Sequence, residues 1–171
     1  MSALKVEGLR VVIGDRPVVD GVSITVEPGE CLAIVGESGA GKSMIAHALL
    51  GLVPAGAAVT ADTLEVDGVE LRASDERAWR DVRGSRIALV SQDALVSLDP
   101  FRRIGREIEE PLEIHRVGPR AERLRRAELA LEAVAMPDVP RRMQAYSHEL
   151  SGGLRQRALI AAALVTEPRI V

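Results

Sequence analysis

Only one cysteine, Cys31, occurs in this chain of 171 residues, so no disulfide can close within it and the fold must be held by its core. At the head of an apolar run, Cys31 reads as a small buried residue in a reducing compartment, which points to the cytosol. Long hydrophobic runs are missing too. The longest, residues 158–165, has eight residues where about 20 are needed to cross a bilayer. Residues 1–10 contain no apolar segment of the kind a secretory signal carries. A role at a membrane would therefore have to come from docking on another chain. Nor is there an excess of charge: 22 Lys+Arg against 25 Asp+Glu leave a net charge of −3, which gives no reason to expect a nucleic-acid partner. No internal repeat is found, and no low-complexity tract longer than the Ala/Gly-rich turn at 54–61. Lysine is almost absent. Lys5 and Lys42 are the only two, arginine serving elsewhere, so the compact ammonium kept at Lys42 directs attention to its neighbours.

Those neighbours are Gly36, Glu37, Ser38, Gly39, Ala40 and Gly41 before it and Ser43 after it. The octet fits the phosphate-cradling pattern G-x-x-x-x-G-K-[ST] at every fixed position. The run at 31–35 before it reads as a buried strand, and residues 44–50, beginning at Met44, read as a helix stopped by Gly51 and Pro54. The chemistry accounts for the residue types. Glycines let the backbone curl so that successive N–H groups face phosphate oxygens, and the helix start adds its positive dipole end. Lys42 is then a mobile charge for the outer phosphates, and Ser43 a hydroxyl ligand for magnesium.

Around this loop the pattern is that of a mixed α/β chain with one core and an inserted subdomain. Leu4, Val6 and 11–13 read as strand, broken by Gly8 and Gly14-Asp15, and 18–19 and 22–26 follow with turns at Asp20-Gly21 and Pro28-Gly29. They predict an antiparallel β layer leading into the phosphate-loop strand. A second hairpin is predicted at 63–71 around Asp67-Gly68. Residues 75–83 predict a short amphipathic helix with Trp79 as a packing residue. Residues 86–90 predict the next buried strand. It ends on Ser91-Gln92, which puts Gln92 either in a surface loop or beyond a strand's carboxyl end, where ligands gather. From 95 to 146 the chain becomes rich in Arg and Glu. It includes a helix predicted at 120–135, with Leu124, Ala127, Leu131 and Val134 as its apolar stripe and the charges as its solvated face. Leu150-Ser151-Gly152-Gly153-Leu154-Arg155-Gln156-Arg157 then opens an apolar helix, in which Ser151 alone would read as an N-cap.

A phosphate loop, a glutamine after the next long strand and then L-S-G-G with R-Q-R resemble the nucleotide-binding domain of ATP-binding cassette (ABC) transporters. There L-S-G-G-x is the signature motif and the glutamine marks the Q-loop. The resemblance covers essentially the whole chain. Ser91-Gln92-Asp93, Ser97-Leu98-Asp99-Pro100, Ile104-Gly105, Glu110-Pro111-Leu112 and Tyr146-Ser147-His148-Glu149 are similar to the oligopeptide, dipeptide and nickel importer branch.

The resemblance implies an α/β fold: a P-loop NTPase (RecA-like) core with an antiparallel β layer and an inserted helical subdomain. It implies one incomplete domain over 1–171, with about 1–94 and 158–171 as core and about 95–157 as the helical subdomain ending in the signature. The implied function is the ATP-binding subunit of an importer, coupling ATP binding and hydrolysis to uptake of peptides or nickel from the cytoplasmic face of the membrane. The implied cofactors are ATP and Mg2+, with Gly36 to Met44 on the phosphates, Ile13 near the adenine, Ser43 and Gln92 on the metal, and Lys42 and Gln92 as catalytic residues. The implied partners are integral membrane permease subunits and a second ABC ATPase subunit, whose ATP would be closed over head to tail by Ser151, Gly152 and Gly153.

Two departures stand out. The family usually has a stacking aromatic near the end of the strand at 10–13, where this chain has Ile13. The strand that carries the family's magnesium-binding aspartate and catalytic glutamate is entered only at Ile170-Val171, so the expectation is a chain that binds ATP but lacks the hydrolytic half-site. None of His47, His115 and His148 stands at the switch position. The competing readings are a soluble ABC-type ATPase in DNA repair or translation, and a nucleotide-binding module without catalysis.

Overall fold

The computed structural model describes residues 2–92 and 97–171. Two compact units result, one reaching to Arg83 and including Ile170, the other Gly84–Arg169 with Val171.

The first unit is built on a long hairpin, β1 (Leu4–Ile13) and β2 (Arg16–Val26), turned at Gly14-Asp15 so that Ile13 faces Arg16. Gly8 and Gly21, predicted as breaks, lie instead inside continuous strands as bulges. The pairing passes from Val6 opposite Ile24 to Leu9 opposite Val22, an extra residue on β1 where Gly8 has φ 61° and donates its N–H to Ser23 Oγ at 3.0 Å. The next step, Val11 opposite Val19, carries the extra residue on β2, around Gly21. An odd step would turn Leu9 to solvent in a regular strand. The bulge restores its direction, and Leu4, Val6, Leu9 and Val11 are all buried.

Strand β4 (Thr63–Val66) pairs with the first half of β1 and with β5 (Val69–Glu70), across a turn in which Asp67 and Gly68 both have positive φ. This is the predicted hairpin, with the type I′ geometry an Asp-Gly pair favours. Residues 54–61 correct the expectation of a plain turn. Ala57–Thr60 forms β3, paired antiparallel with Arg10–Ile13, because Val59 and Thr60 suit a pleated edge and β1 offers one there. The sheet order is β2-β1-β4-β5, with β3 also on β1.

Helix α1 (Lys42–Ala48) follows the phosphate loop and is capped at Leu49, two residues before Gly51, the predicted stop, which lies in the following turn at φ 62°. Helix α2 (Glu76–Val82) is capped by Asp75, whose Oδ1 accepts from Ala78 N–H at 3.0 Å. Its Trp79 is buried as predicted, with Nε1 donating to the Arg72 carbonyl.

Two predicted buried strands are not formed. Residues 31–35 take no strand conformation, Cys31 is exposed, and Val35 is 87% exposed. At 86–90 Ile87 and Ala88 are buried, but the backbone is again not a strand and Leu89 is exposed. A strand of this kind needs neighbours to accept its ladder. Among the described residues no strand of the sheet pairs with either run.

The second unit is helical: α3 (Ile104–Ile114), α4 (Arg120–Ala133), α5 (Val139–Gln144), a 3-10 turn (Ser147–Glu149) and α6 (Gly152–Leu164). Ile104, Ile108 and Leu112 of α3 meet Ala127 and Leu131 of α4 and Ala158 and Ala161 of α6 in one core, with Leu124 and Val134 against its margin. The predicted stripe of α4 is therefore the buried one. Its charges are not all solvated, however. Glu109 of α3 is fully buried and accepts from Arg106 at 2.6 Å and from Arg123 of α4 at 3.3 Å, so one inward arginine of α4 satisfies a carboxylate that would otherwise be too costly to bury.

Candidate functional site

The octet from Gly36 to Ser43 forms a loop closed around its own lysine. Lys42 Nζ donates to the Gly36 carbonyl at 2.9 Å and to the Glu37 carbonyl at 2.6 Å, and Ala40 N–H donates to Glu37 O at 3.2 Å. Gly39 and Gly41 have φ 83° and 84°, the left-handed region that side chains other than glycine avoid. At Gly41 there is a second restraint, since a Cβ would stand 2.7 Å from the Val18 carbonyl of β2. Gly41 occupies the N-cap of α1, and the first helical bond runs from Ile45 N–H to its carbonyl. The N–H groups of Lys42, Ser43 and Met44 are left without intrahelical acceptors. Ser43 is exposed and Met44 half-buried.

The charge around the loop fits an anion. Lys5 is matched by Glu7 at 3.1 Å, whereas among the described residues no carboxylate pairs with Lys42. Its ammonium is held by neutral carbonyls. Free N–H groups, one uncompensated ammonium and an exposed hydroxyl form a donor set suited to a polyphosphate with a hard cation.

The other predicted site residues are distributed as follows. Ile13 lies at the end of β1, 39% exposed. Gln92 is exposed at a bend in the second unit. Asp93 of the same motif, and the predicted start of the helical subdomain at 95, lie outside the described residues. Ser151, Gly152 and Gly153 are exposed at the beginning of α6, Ser151 at the N-cap and the first bond running from Arg155 N–H to its carbonyl at 2.9 Å. Among the described residues a Cβ on Gly152 or Gly153 would meet nothing within 4 Å, so packing against them does not require glycine there.

The profile of the ABC transporter family matches residues 19–171. The chain belongs to the ABC transporter family. Similar relatives include the dipeptide transport ATP-binding protein DppD of Escherichia coli, 37% identical over all of this chain and 54% of that protein. The DppD of Lactococcus lactis is 41% identical over 92% of this chain and 46% of that one. This chain spans about half the length of the curated relatives it matches. Among solved structures, the dimeric bacterial ABC transporter cassette MJ0796 superposes with a TM-score of 0.81 at 25% identity, over 96% of this chain and 70% of that one. The same cassette is known in a post-hydrolysis state bound to ADP and Pi. The P-loop NTPase fold of these cassettes is the fold of this chain. Among the described residues no helix is long and apolar enough to cross a membrane.

Within this ABC cassette, sequence reasoning missed the arginines that fix the motif-bearing helices. Arg83 donates to the Leu50 and Gly51 carbonyls at 2.6 and 2.8 Å and stacks over Trp79, closing the C-terminal end of the phosphate-loop helix. Arg155 and Arg157 reach back from α6, to Ser147 O at 2.7 Å and to the Val134 and Ala135 carbonyls at the end of α4. The available signal was compositional: a chain that spends arginine almost everywhere needs planar, multi-donor cations at carbonyl-rich helix ends. Also unforeseen is a pocket of about 300 Å3 lined by Phe101, Arg102, Arg103, Arg106, Glu110, Glu113 and Tyr146, with Phe101 89% exposed.

Proposed function

We propose that this chain is the nucleotide-binding part of an ABC importer subunit, and that the whole protein couples ATP binding and hydrolysis to peptide uptake. The observation that carries the reading is the phosphate loop, whose ammonium has no carboxylate partner among the described residues and whose helix starts on unspent N–H groups. In this reading Gly36 to Met44 hold the phosphates. Lys42 moves from its two carbonyls to the outer phosphates, Ser43 presents its hydroxyl to magnesium, and Ile13 borders the adenine. Gln92 reports on the metal and the γ-phosphate. ATP supplies a phosphoanhydride whose cleavage releases the assembly. Ser151, Gly152 and Gly153 close over the nucleotide of a second ABC subunit, and the open space above both glycines supports that role. About 95–157 is the stretch that meets integral membrane permeases, with the Phe101 pocket on its surface. The working position is the cytoplasmic face of the membrane. The relatives are dipeptide transport proteins by name, which favours peptides over nickel and an importer over a soluble ATPase of DNA repair or translation.

Competition against a fluorescent ATP analogue tests the loop. ATP and ADP should displace it and adenosine should not, because the affinity resides in the phosphates; displacement by adenosine as effective as by ATP would contradict the reading. Gly153→Asp tests the signature. A carboxylate where a γ-phosphate should dock will abolish ATP-driven pairing while leaving ATP binding to the single chain intact. Loss of binding by the single chain instead would mean that the motif acts on its own loop.

A further inference from the structure

Helix α6 begins without the usual cap. An N-cap serine ordinarily turns its hydroxyl onto an N–H of the first turn, but Ser151, at φ −64° and ψ 161°, makes no such bond, and the first turn carries no acidic side chain. The helix then opens on two glycines, the ordinary residue type least disposed to helix. Such a start should fray unless another group holds it.

Arg155 is placed to do so. Its Nε donates to the Ser147 carbonyl at 2.7 Å and its Nη2 reaches the His148 carbonyl at 3.5 Å, while its backbone N–H closes the first turn on Ser151. The turn it grips is itself closed. Tyr146 N–H donates to Glu149 Oε2 at 2.7 Å, Glu149 N–H returns to the Tyr146 carbonyl at 3.0 Å, and Ser147 is buried. The Arg155 side chain thus ties the first turn of α6, where its backbone sits, to the 3-10 turn that precedes Leu150-Ser151.

We infer that Arg155 is the positioning residue of the signature. Its guanidinium anchors the first turn to the preceding 3-10 turn, so that the helix start is held while the Ser151 hydroxyl and the N–H groups of Gly152 and Gly153 remain available for the nucleotide of a second subunit. The inference rests on the proposed role of Ser151 to Gly153. Lysine is a poor substitute, since one ammonium lacks the planar fork that serves two carbonyls.

The test uses the full 171-residue chain with Arg155→Ala and Arg155→Lys. ATP affinity is measured by calorimetry, ATP-driven pairing by sedimentation, and local order by amide hydrogen exchange. Arg155→Ala should leave ATP affinity unchanged and weaken pairing about tenfold or more, the scale of a lost charge-assisted hydrogen bond. Arg155→Lys should fall between it and the parent, and exchange should rise at residues 147–154 but not in the core of α3 and α4. If Arg155→Ala does not fold, the lysine variant still decides by its intermediate pairing. Pairing as tight as the parent's in a folded variant, or an exchange rise spread through the whole helical unit, overturns the inference. Where Gly153→Asp abolishes pairing and Arg155→Ala does not, the inference alone has failed. Where neither variant changes pairing, or the parent itself does not pair, the reading of the signature has failed and the inference with it.

Discussion

Gly41 is where the phosphate loop is fixed most tightly, by its positive φ and by the Val18 carbonyl 2.7 Å from where a Cβ would stand. A side chain there must relieve both restraints at once, at a cost of about 1–3 kcal/mol for the backbone conformation alone. Gly41→Ala should therefore lower the urea midpoint and weaken ATP binding together; an alanine variant with parental ATP affinity would show that this geometry is not the binding geometry. Ile13 offers the opposite experiment. It is exposed at the end of β1 and lacks the ring face on which a base could stack. Base stacking on an aromatic side chain contributes about 1–3 kcal/mol, so Ile13→Tyr should tighten ATP about fivefold or more and leave inorganic triphosphate unchanged. Equal gains for the two ligands would place the adenine elsewhere.

At the scale of the element, helix α3 carries a charge whose burial sets a pH dependence. Glu107 lies in its first turn with a side chain 12% exposed, Oε1 without a hydrogen-bond partner among the described residues and the Arg102 guanidinium at 3.9 Å. Burial pushes its carboxyl above the usual range, and the Arg102 guanidinium only partly opposes this. A folded-state pKa raised above the unfolded one means that the folded chain binds more protons. This contribution therefore erodes as pH rises from the ordinary carboxylate range through the raised pKa, and the penalty is complete above it. Glu107→Gln should be more stable than the parent at neutral pH, with the gain vanishing below the ordinary carboxylate range. Urea midpoints at the two pH values check this, and a parent more stable than the variant at neutral pH would refute it.

The same scale shows what the sequence reveals and what it hides. The hairpin β4-β5, the capped helix α2 with its Trp79 and the stripe of α4 are legible because turn chemistry and local periodicity dictate them. Gly8 and Gly21 mislead because a glycine that ends a strand and one that bulges it look alike in sequence; only the cross-strand register separates them. The runs at 31–35 and 86–90 mislead for a different reason. Apolar composition announces a wish to be buried, but a strand exists only where another backbone accepts its hydrogen bonds. Of the proposed site, the phosphate loop and the signature stand out in the sequence, because the chemistry proposed for them needs given residue types at fixed spacing. Arg83, Arg155 and Glu109 are not, because their partners are backbone carbonyls or arginines brought near by the fold, which leave no pattern in the sequence.

At the scale of the whole molecule, the phosphate loop belongs to one unit of the chain and the signature to the other. In the proposed assembly, two copies related by a twofold axis would give each nucleotide one surface from each subunit, a self-complementary contact that closes after two. All of it depends on the phosphate loop binding ATP. The measurement that tests this most directly is calorimetric titration of ATP into the chain and into its Lys42→Ala variant. Removing the only cation of the loop should cost at least about tenfold in affinity, the scale of a charge-assisted contact to phosphate. ATP bound equally well by both proteins would contradict the account.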